Sequence, residues 1–229
     1  DLVVMSLGEH FKESGEAASK ANIELPEIQL DLLEEVVRVN PNVAVVLFNG
    51  RPLDLRKVSR LAKAILEVWL PGTEGGHAII DVLTGKINPS GKLPMSFPYC
   101  VGQVPVYYNA YSTGRSDFAG CTDHFRSRYL DIPNEPLYPF GYGLSYTEFE
   151  ISAPELNKDT LSADGSLEAS VTVTNKGTCQ GTETLQLYIQ DVFASVVRPV
   201  KELKGFRNDW QRAGNIPDMD RKQQCGGSV

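Results

Sequence analysis

Short apolar runs alternate with segments of helical periodicity over the first 98 residues, and this alternation restricts the fold more than any other feature of the sequence. Three runs have the length and continuous apolar character of buried strands: Leu2–Leu7, Val43–Phe48 and Ala64–Trp69. Strands that alternate with helices are typical of βαβ units. Residues 1–98 are therefore predicted to form an α/β domain, a partial α/β sandwich whose sheet is mostly parallel.

Three helices are predicted between and after these strands. The first begins at Pro26, a residue type favoured at a helix start. The spacing that marks the buried side of an amphipathic helix is found at Ile28, Leu32, Val36 and Val39. A short helix is predicted over Leu55–Leu61, and a third helix runs from Thr73 to a stop at Gly85.

The pattern changes after residue 98. Residues 99–136 are rich in Tyr, Gly, Pro and Asn without periodicity, which predicts a connecting arm that contacts a ligand or another domain. Residues 137–206 contain short alternating segments separated by Gly turns, including a strand over Ser166–Val173. They predict an all-β sandwich of the immunoglobulin or fibronectin type III kind. Residues 207–229 are polar without alternation, so we expect them to be disordered and the sandwich to be incomplete.

Composition excludes several classes of function. The 22 Lys and Arg residues against 29 Asp and Glu give a net charge of −7, which argues against nucleic acid as a partner. No apolar run approaches the roughly 20 residues that span a bilayer. Widely spaced Cys and His residues give no metal-ligand pattern, so no metal is expected. Ser90-Gly91-Lys92 lacks the hydroxyl residue and the glycine spacing of a phosphate loop, which argues against a flavodoxin-like nucleotide-binding domain.

Candidate site residues follow from the predicted sheet. Ligands of open α/β sheets bind outside the carboxyl ends of the strands. This rule selects three loops, at Gly8-Glu9-His10, Asn49-Gly50-Arg51 and Pro71–Gly76. A carboxyl group sheltered at such a rim is suited to general-acid work, because desolvation favours its protonated form. Glu9 is therefore a candidate acid.

Two further carboxylates follow Glu9. Glu13 and Glu16 lie in a polar segment with a glycine between them. This segment is either a solvated surface loop or a loop that closes over a hydroxyl-rich ligand. In the arm, Tyr108 and Arg115 either contact a ligand or pack on their own domain, and His10 stands beside Glu9.

Several motifs together resemble glycoside hydrolase family 3. Its C-terminal α/β sandwich is resembled by Leu7-Gly8-Glu9-His10, Ser14-Gly15-Glu16-Ala17-Ala18-Ser19-Lys20, Asn49-Gly50-Arg51-Pro52-Leu53, Trp69-Leu70-Pro71-Gly72-Thr73-Glu74-Gly75-Gly76 and Asn88–Pro98. Tyr138–Thr147 is similar to that family's junction with a fibronectin type III-like domain, and Arg198–Phe206 is similar to a strand of that domain. The resemblance covers about residues 1–206 and points to bacterial-type β-glucosidases and β-xylosidases.

The resemblance implies retaining, exo-acting hydrolysis of a β-linked glucoside or xyloside, with two carboxyl groups ~5 Å apart. The family's nucleophile is an Asp on an N-terminal TIM-like barrel, which we expect to be missing from this chain. The acid/base glutamate often comes from the α/β sandwich, where Gly8-Glu9 matches the motif and Glu13 and Glu16 are alternatives. His10, Tyr108 and Arg115 are the expected substrate contacts. No metal or organic cofactor is implied.

The same resemblance sets expectations for the chain as a whole. It starts inside a predicted strand, without an initiator methionine or a signal peptide, so we expect a fragment that is inactive without the barrel. Secretion or a periplasmic location is implied by the family, and a homodimer is left open. The alternative function is a non-enzymatic carbohydrate-binding or scaffold module.

Overall fold

The computed structural model describes residues 1–115, 124–162 and 164–211. They divide into two compact units. The first unit contains Asp1–Ile80, Pro94–Tyr108 and the described part of Arg115–Phe140. The second contains Asp81–Leu93, Asn109–Gly114 and the described residues from Gly141 onward. Among all these residues, no helix combines the length and apolar content needed to cross a membrane.

The first unit is built on a parallel sheet in the order β1-β2-β3, which confirms the predicted α/β class. Its elements, in chain order, are β1 (Val3–Gly8), α1 (Glu27–Val39), β2 (Val43–Phe48), α2 (Arg56–Leu61), β3 (Ala64–Glu67) and the part of α3 (Gly75–Leu83) up to Ile80. The two crossover helices each connect neighbouring parallel strands, as such connections require. Gly85, the predicted stop after the third helix, has φ +74°.

The core of this unit lies around the central strand β2. Every residue from Val43 to Leu47 is buried, so both faces of this central strand are covered. Other fully buried apolar side chains of this unit are Leu33 of α1, Val58 of α2, Leu53, Leu55 and Phe97. Burial of each such side chain contributes about 1.5–3 kcal/mol, so this small sheet depends on its middle strand.

Strand β1 differs from the buried strand that the sequence predicts. Met5 and Leu7 are buried, whereas Val4 and Ser6 between them are exposed. Alternation of this kind belongs to a strand with one covered face. Among the described residues β1 pairs only with β2, so it lies at the edge of the sheet.

The predicted buried side of α1 is wrong. Ile28, Leu32 and Val39 are 75%, 54% and 78% exposed, while Leu33 is fully buried. The rotation of α1 is set by Gln29, one turn before Leu33 on the same face. Its side chain accepts a hydrogen bond from Gly8 N (2.8 Å) and donates one to Gly8 O (2.9 Å). Helical spacing located the helix correctly, but this long-range contact decides which side faces the sheet.

The second unit contains antiparallel strand pairs, as the all-β prediction required. The pairs are β4 (Phe149–Ile151) with β7 (Val173–Asn175), β5 (Glu155–Leu156) with β6 (Ala169–Ser170), and β8 (Gly181–Ile189) with β9 (Glu202–Gln211). The single strand predicted over Ser166–Val173 is wrong, because β6 and β7 are separate strands with different partners.

The expectation of disorder from Arg207 is also wrong for the first five residues concerned. Strand β9 continues to Gln211, and Trp210 lies opposite Thr182 of β8 in the antiparallel register. Asp209 is buried and accepts a hydrogen bond from the Gln211 side chain. Residues 212–229, the rest of the predicted disordered tail, lie outside the described part of the chain.

Gly8 is required where β1 ends. Its φ of +154° is outside the range that L side chains adopt easily, and a Cβ at this position would overlap the Phe48 carbonyl of the neighbouring strand. We expect Gly8→Ala to destabilise the chain by about 2–4 kcal/mol, the sum of backbone strain and steric overlap. Urea unfolding followed by circular dichroism would measure this loss.

Gly72→Ala is the matched control, because nothing lies within 4 Å of a Cβ built at that glycine. The control should stay within about 0.5 kcal/mol of the original chain. Equal free energies of unfolding for the two variants would contradict the requirement at Gly8.

Candidate active site

The carboxyl ends of the three parallel strands meet at one edge, as the sequence predicted. Gly8 is in register with Phe48, and Leu47 with Glu67. Glu9 N donates a hydrogen bond to Phe48 O (2.9 Å), and Asn49 N donates one to Trp69 O (3.3 Å). The loops that follow β1 and β2 are therefore tied together from their first residue.

Glu9 points into this edge and is not presented at the rim, contrary to the expectation from sequence. The residue is 7% exposed. Its Oε1 lies 3.2 Å from Lys20 Nζ and 3.3 Å from Arg51 Nε. Two cations at these distances neutralise the carboxylate, and a buried charge paired in this way is costly to expose. The geometry is that of an anchor for the surrounding loops.

Arg51 is the cation that organises the loop after β1. Besides Glu9, its guanidinium donates to the backbone carbonyls of Glu13 and of Ala18, the latter at 2.7 Å. A guanidinium has several donors in a rigid plane, so one side chain can serve a carboxylate and two carbonyls at once. Arg51 thereby fixes both ends of the segment from residue 13 to residue 18.

Close approach between the two loops depends on Gly50. A Cβ at this position would overlap the Ser14 side chain. The absence of a side chain lets the backbone after β2 lie directly against the loop after β1. The motif Asn49-Gly50-Arg51 thus positions the loop after β1 in two ways. Gly50 packs directly against Ser14, and Arg51 binds the carbonyls of Glu13 and Ala18.

Glu13 and His10 stabilise a short 3-10 helix, Phe11–Glu13, in the same loop. His10 N donates to Glu13 Oε2 (2.9 Å), and Lys12 N donates to His10 Nδ1 (3.3 Å), which together make a capping box. Lys20 Nζ lies 3.4 Å from Glu13 Oε1. The pKa of Glu13 is lowered, first by the His10 backbone N–H and then by Lys20. Glu13 is held as a carboxylate.

Glu16 differs from the other two candidate carboxylates. It is exposed, in a turn whose flanking residues Gly15 and Ala17 have φ values of +102° and +58°. Among the residues described, no hydrogen bond or ion pair engages its carboxylate. A non-glycine residue at positive φ costs of order 1–3 kcal/mol, so the conformation of Ala17 must be imposed by its surroundings. Arg51, which binds the next carbonyl at Ala18, supplies that constraint.

Sequence reasoning missed Glu67, at the end of β3. Its Oε1 accepts a hydrogen bond from Trp69 N (2.8 Å), and Trp69 itself has a φ of +54°. Burial raises the pKa of the Glu67 carboxyl to about 7, against smaller opposite effects of Trp69 and Asn49. The signal for this residue was present, since a carboxylate within an otherwise apolar strand is unusual.

The arm residues predicted to contact substrate have other contacts in the first unit. Tyr108 stacks on Phe140, with ring centroids 4.3 Å apart. Arg115 is exposed, and its carbonyl accepts a hydrogen bond from Ser127 N (2.9 Å). Neither of these contacts is with the loop after β1. In the described part of the chain, no three His, Cys, Asp or Glu side chains are grouped as metal ligands would be.

An unpredicted residue, Gln103, orders this arm. It is buried, its Oε1 accepts from Tyr99 N (2.7 Å), and its Nε2 donates to the carbonyls of Pro133, Asn134 and Glu135 at 3.0, 3.2 and 3.0 Å. One amide therefore replaces the backbone hydrogen bonds that regular secondary structure would provide.

Comparison with known proteins identifies the class to which this fold and edge belong. The model of the glycosyl hydrolase family 3 C-terminal domain matches residues 1–146, and that of the fibronectin type III-like domain matches residues 183–214. The first match covers more than half of the chain. The chain belongs to glycosyl hydrolase family 3, through the C-terminal domain of that family.

Individual relatives agree with the family. A periplasmic beta-glucosidase of Salmonella typhimurium is 52% identical over 90% of this chain and 27% of its own length. A beta-xylosidase of Formosa agariphila is 42% identical over 97% of the chain and 30% of its own length. The crystal structure of beta-glucosidase from Listeria innocua in complex with glucose matches with a TM-score of 0.90 and 49% identity, over 94% of this chain and 30% of that one. The chain thus spans less than a third of these proteins.

Removal of the Arg51 guanidinium tests its role in the edge. We expect Arg51→Met to lower the free energy of unfolding by about 3–5 kcal/mol, because the buried Glu9 carboxylate loses one of its two cations. Adding Glu9→Gln should recover part of this loss, since the uncompensated charge is then gone. Chemical denaturation of the single and double variants measures both effects.

Arg38→Met is the matched control for this experiment. Arg38 pairs with Glu35 at 2.7 Å, but the two side chains are 72% and 67% exposed. Solvent screening makes such pairs weak, so the control should change stability by less than about 1 kcal/mol. Losses of equal size at positions 51 and 38 would argue against an anchoring role for the buried pair.

Proposed function

We propose that this chain supplies the proton-donating part of a retaining, exo-acting β-glucosidase. In such a reaction one carboxylate attacks the anomeric carbon, and a second carboxyl group protonates the leaving oxygen and later activates water. The observation that carries the proposal is the loop after β1, which Arg51 holds at both ends while Glu16 stays open to solvent. Membership of glycosyl hydrolase family 3 supports the reaction class.

The nucleophile is proposed to lie in another domain, a TIM-like barrel of the longer family polypeptide. A retaining mechanism needs the two carboxyl groups about 5 Å apart. The relatives are more than three times as long as the segment matched here, which leaves ample room for such a domain. On this view the chain by itself holds one member of the catalytic pair and has no turnover.

Among the three candidate acids, the contacts favour Glu16. A group that cycles a proton needs access to the leaving oxygen and then to water. Glu9 is buried between two cations, and Glu13 is held as a carboxylate by the His10 N–H and Lys20. Glu16 is exposed on a loop with fixed ends. Glu9 and Glu13 are then positioning groups for the loop that carries Glu16.

The substrate is proposed to be a β-glucoside, with a β-xyloside as the nearest alternative sugar. The names of the relatives support both, since they include beta-glucosidases and a beta-xylosidase. Tyr108 and Arg115 remain proposed sugar contacts, whereas His10 is engaged in its cap. The periplasmic relative supports a location outside the cytoplasm.

Activity of the chain alone and in combination tests this division of labour. The chain alone should release no phenol from an aryl β-glucoside. The Salmonella typhimurium relative, with its matching segment replaced by this chain, should release it, because nucleophile and acid/base are then present together. A folded hybrid that binds glucose without hydrolysis would favour the alternative of a carbohydrate-binding module. The intact relative is the positive control.

The identity of the acid is tested in the same hybrid by comparing Glu16→Gln with Glu13→Gln. Loss of a general acid should reduce kcat/KM on phenyl β-glucoside by about 10²–10⁴-fold. The loss should be smaller on 2,4-dinitrophenyl β-glucoside, whose leaving group departs without protonation. Glu16→Gln should show this dependence on the leaving group and Glu13→Gln should not. The reverse pattern would assign the acid to Glu13.

A further inference from the structure

Two buried oxygens at the edge of the sheet lack a donor. Glu67 Oε2 and Asn49 Oδ1 are enclosed, and neither has a hydrogen-bond partner among the described residues. An unsatisfied buried polar atom costs about 1–3 kcal/mol. Both residues use their other polar atom, since Glu67 Oε1 accepts from Trp69 N and Asn49 Nδ2 donates to Arg51 O (2.8 Å). Rotating the Asn49 amide by half a turn would instead place Asn49 Oδ1 against the Arg51 carbonyl oxygen, and two acceptors would face each other.

A single proton satisfies both atoms. A protonated Oε2 becomes a donor. The Asn49 side chain is close enough to the Glu67 carboxyl group to influence its pKa, and because Asn49 Nδ2 is bound to the Arg51 carbonyl, Oδ1 is the atom left to accept this proton. The pKa of Glu67, raised by burial to about 7, agrees with a proton being retained there. The charged groups of the neighbouring loops are engaged with one another, because Arg51 and Lys20 contact Glu9 and Lys20 also contacts Glu13.

We propose that Glu67 is a positioning residue that is a neutral carboxylic acid at mildly acidic pH and donates a hydrogen bond to Asn49 Oδ1. Asn49 then holds the Arg51 carbonyl, and the Arg51 side chain holds the carbonyls of Glu13 and Ala18. A line of hydrogen bonds thus runs from the end of β3, across the end of β2, to the loop after β1. This inference concerns the geometry of the loop and does not depend on the reaction proposed for it.

Loss of the Glu67 proton should weaken this series of hydrogen bonds. As the pH rises, Glu67 ionises and presents two acceptor oxygens to an amide oxygen that also needs a donor. The folded state then loses the hydrogen bond to Asn49 and contains a buried carboxylate that no cation in the described part of the chain neutralises. The loop from residue 13 to residue 18 should therefore be better ordered below the pKa of Glu67 than above it.

Carbon-13 NMR of the glutamate carboxyl groups tests the protonation state directly. We expect one carboxyl resonance of the chain to titrate with a midpoint near 7 and to disappear in Glu67→Gln, which identifies it. Glu74→Gln is the control, because Glu74 is an exposed carboxylate of the same unit. Titration of every glutamate below pH 5.5 would overturn the proposal.

The pH dependence of stability gives a second test. Because the folded-state pKa lies above the ordinary value of 4.5, the contribution of Glu67 to stability is complete below pH 4.5 and is lost as the pH rises to about 7. Glu67→Gln keeps a donor for Asn49 at every pH. The melting temperature of Glu67→Gln minus that of the original chain should therefore increase from pH 5 to pH 7.5 and level off above. A difference that does not change with pH would overturn the proposal.

Hydrogen exchange of the loop separates positioning from simple stability. Amides from residue 13 to residue 18 should exchange faster in the original chain at pH 8 than at pH 6, after correction for the intrinsic pH dependence. In Glu67→Gln the corrected rates should be equal at the two pH values. Equal corrected rates in the original chain would show that Glu67 does not act on the loop.

Discussion

The ion pair between Arg51 and Glu9 joins the loops after β1 and β2, and the other contacts at this edge of the sheet depend on it. Glu9 follows β1 directly, and Arg51 follows β2 after two residues, so the pair joins the ends of adjacent parallel strands. Parallel strands have no tight turn to fix their ends to each other. A buried ion pair adds little net stability, but it disfavours arrangements in which one of the two charges would be buried without its partner. Its main effect is to select one loop geometry.

The loop after β1 needs such selection because it has little apolar material of its own. Its regular structure is a 3-10 helix of three residues, and Phe11 in that helix is mostly exposed. The loop is instead ordered by polar contacts: the cap between His10 and Glu13, the packing of Ser14 on Gly50, and the Arg51 clamp. Segments with few buried apolar contacts open at low cost. Placement of Glu16 therefore depends on electrostatics more than on the hydrophobic core.

The sequence was informative where a property is local. Continuous apolar runs placed β2 correctly, and the rule on carboxyl ends placed the loops at one edge. Properties that depend on residues far away in the chain could not be predicted from the sequence. The buried side of α1 depends on a hydrogen bond between residues 21 positions apart, and the burial of Glu9 depends on Arg51, 42 positions away. The sequence Arg207–Gln211 shows no alternation of polar and apolar residues, so no strand was predicted there. The segment is nevertheless a strand, because it pairs with β8.

Four glutamates near this edge show how environment assigns different tasks to one residue type. Glu9 is buried between cations and serves as an anchor, while Glu13 is held as a carboxylate by a backbone N–H and a lysine. Burial raises the pKa of Glu67, and none of the described residues pairs a cation with it. Glu16 alone of the four is exposed. A proton can be exchanged with substrate and water only by a carboxyl group that is not already committed to the scaffold. In the proposed role of Glu16 as the acid, the other three glutamates supply the rigidity of its surroundings.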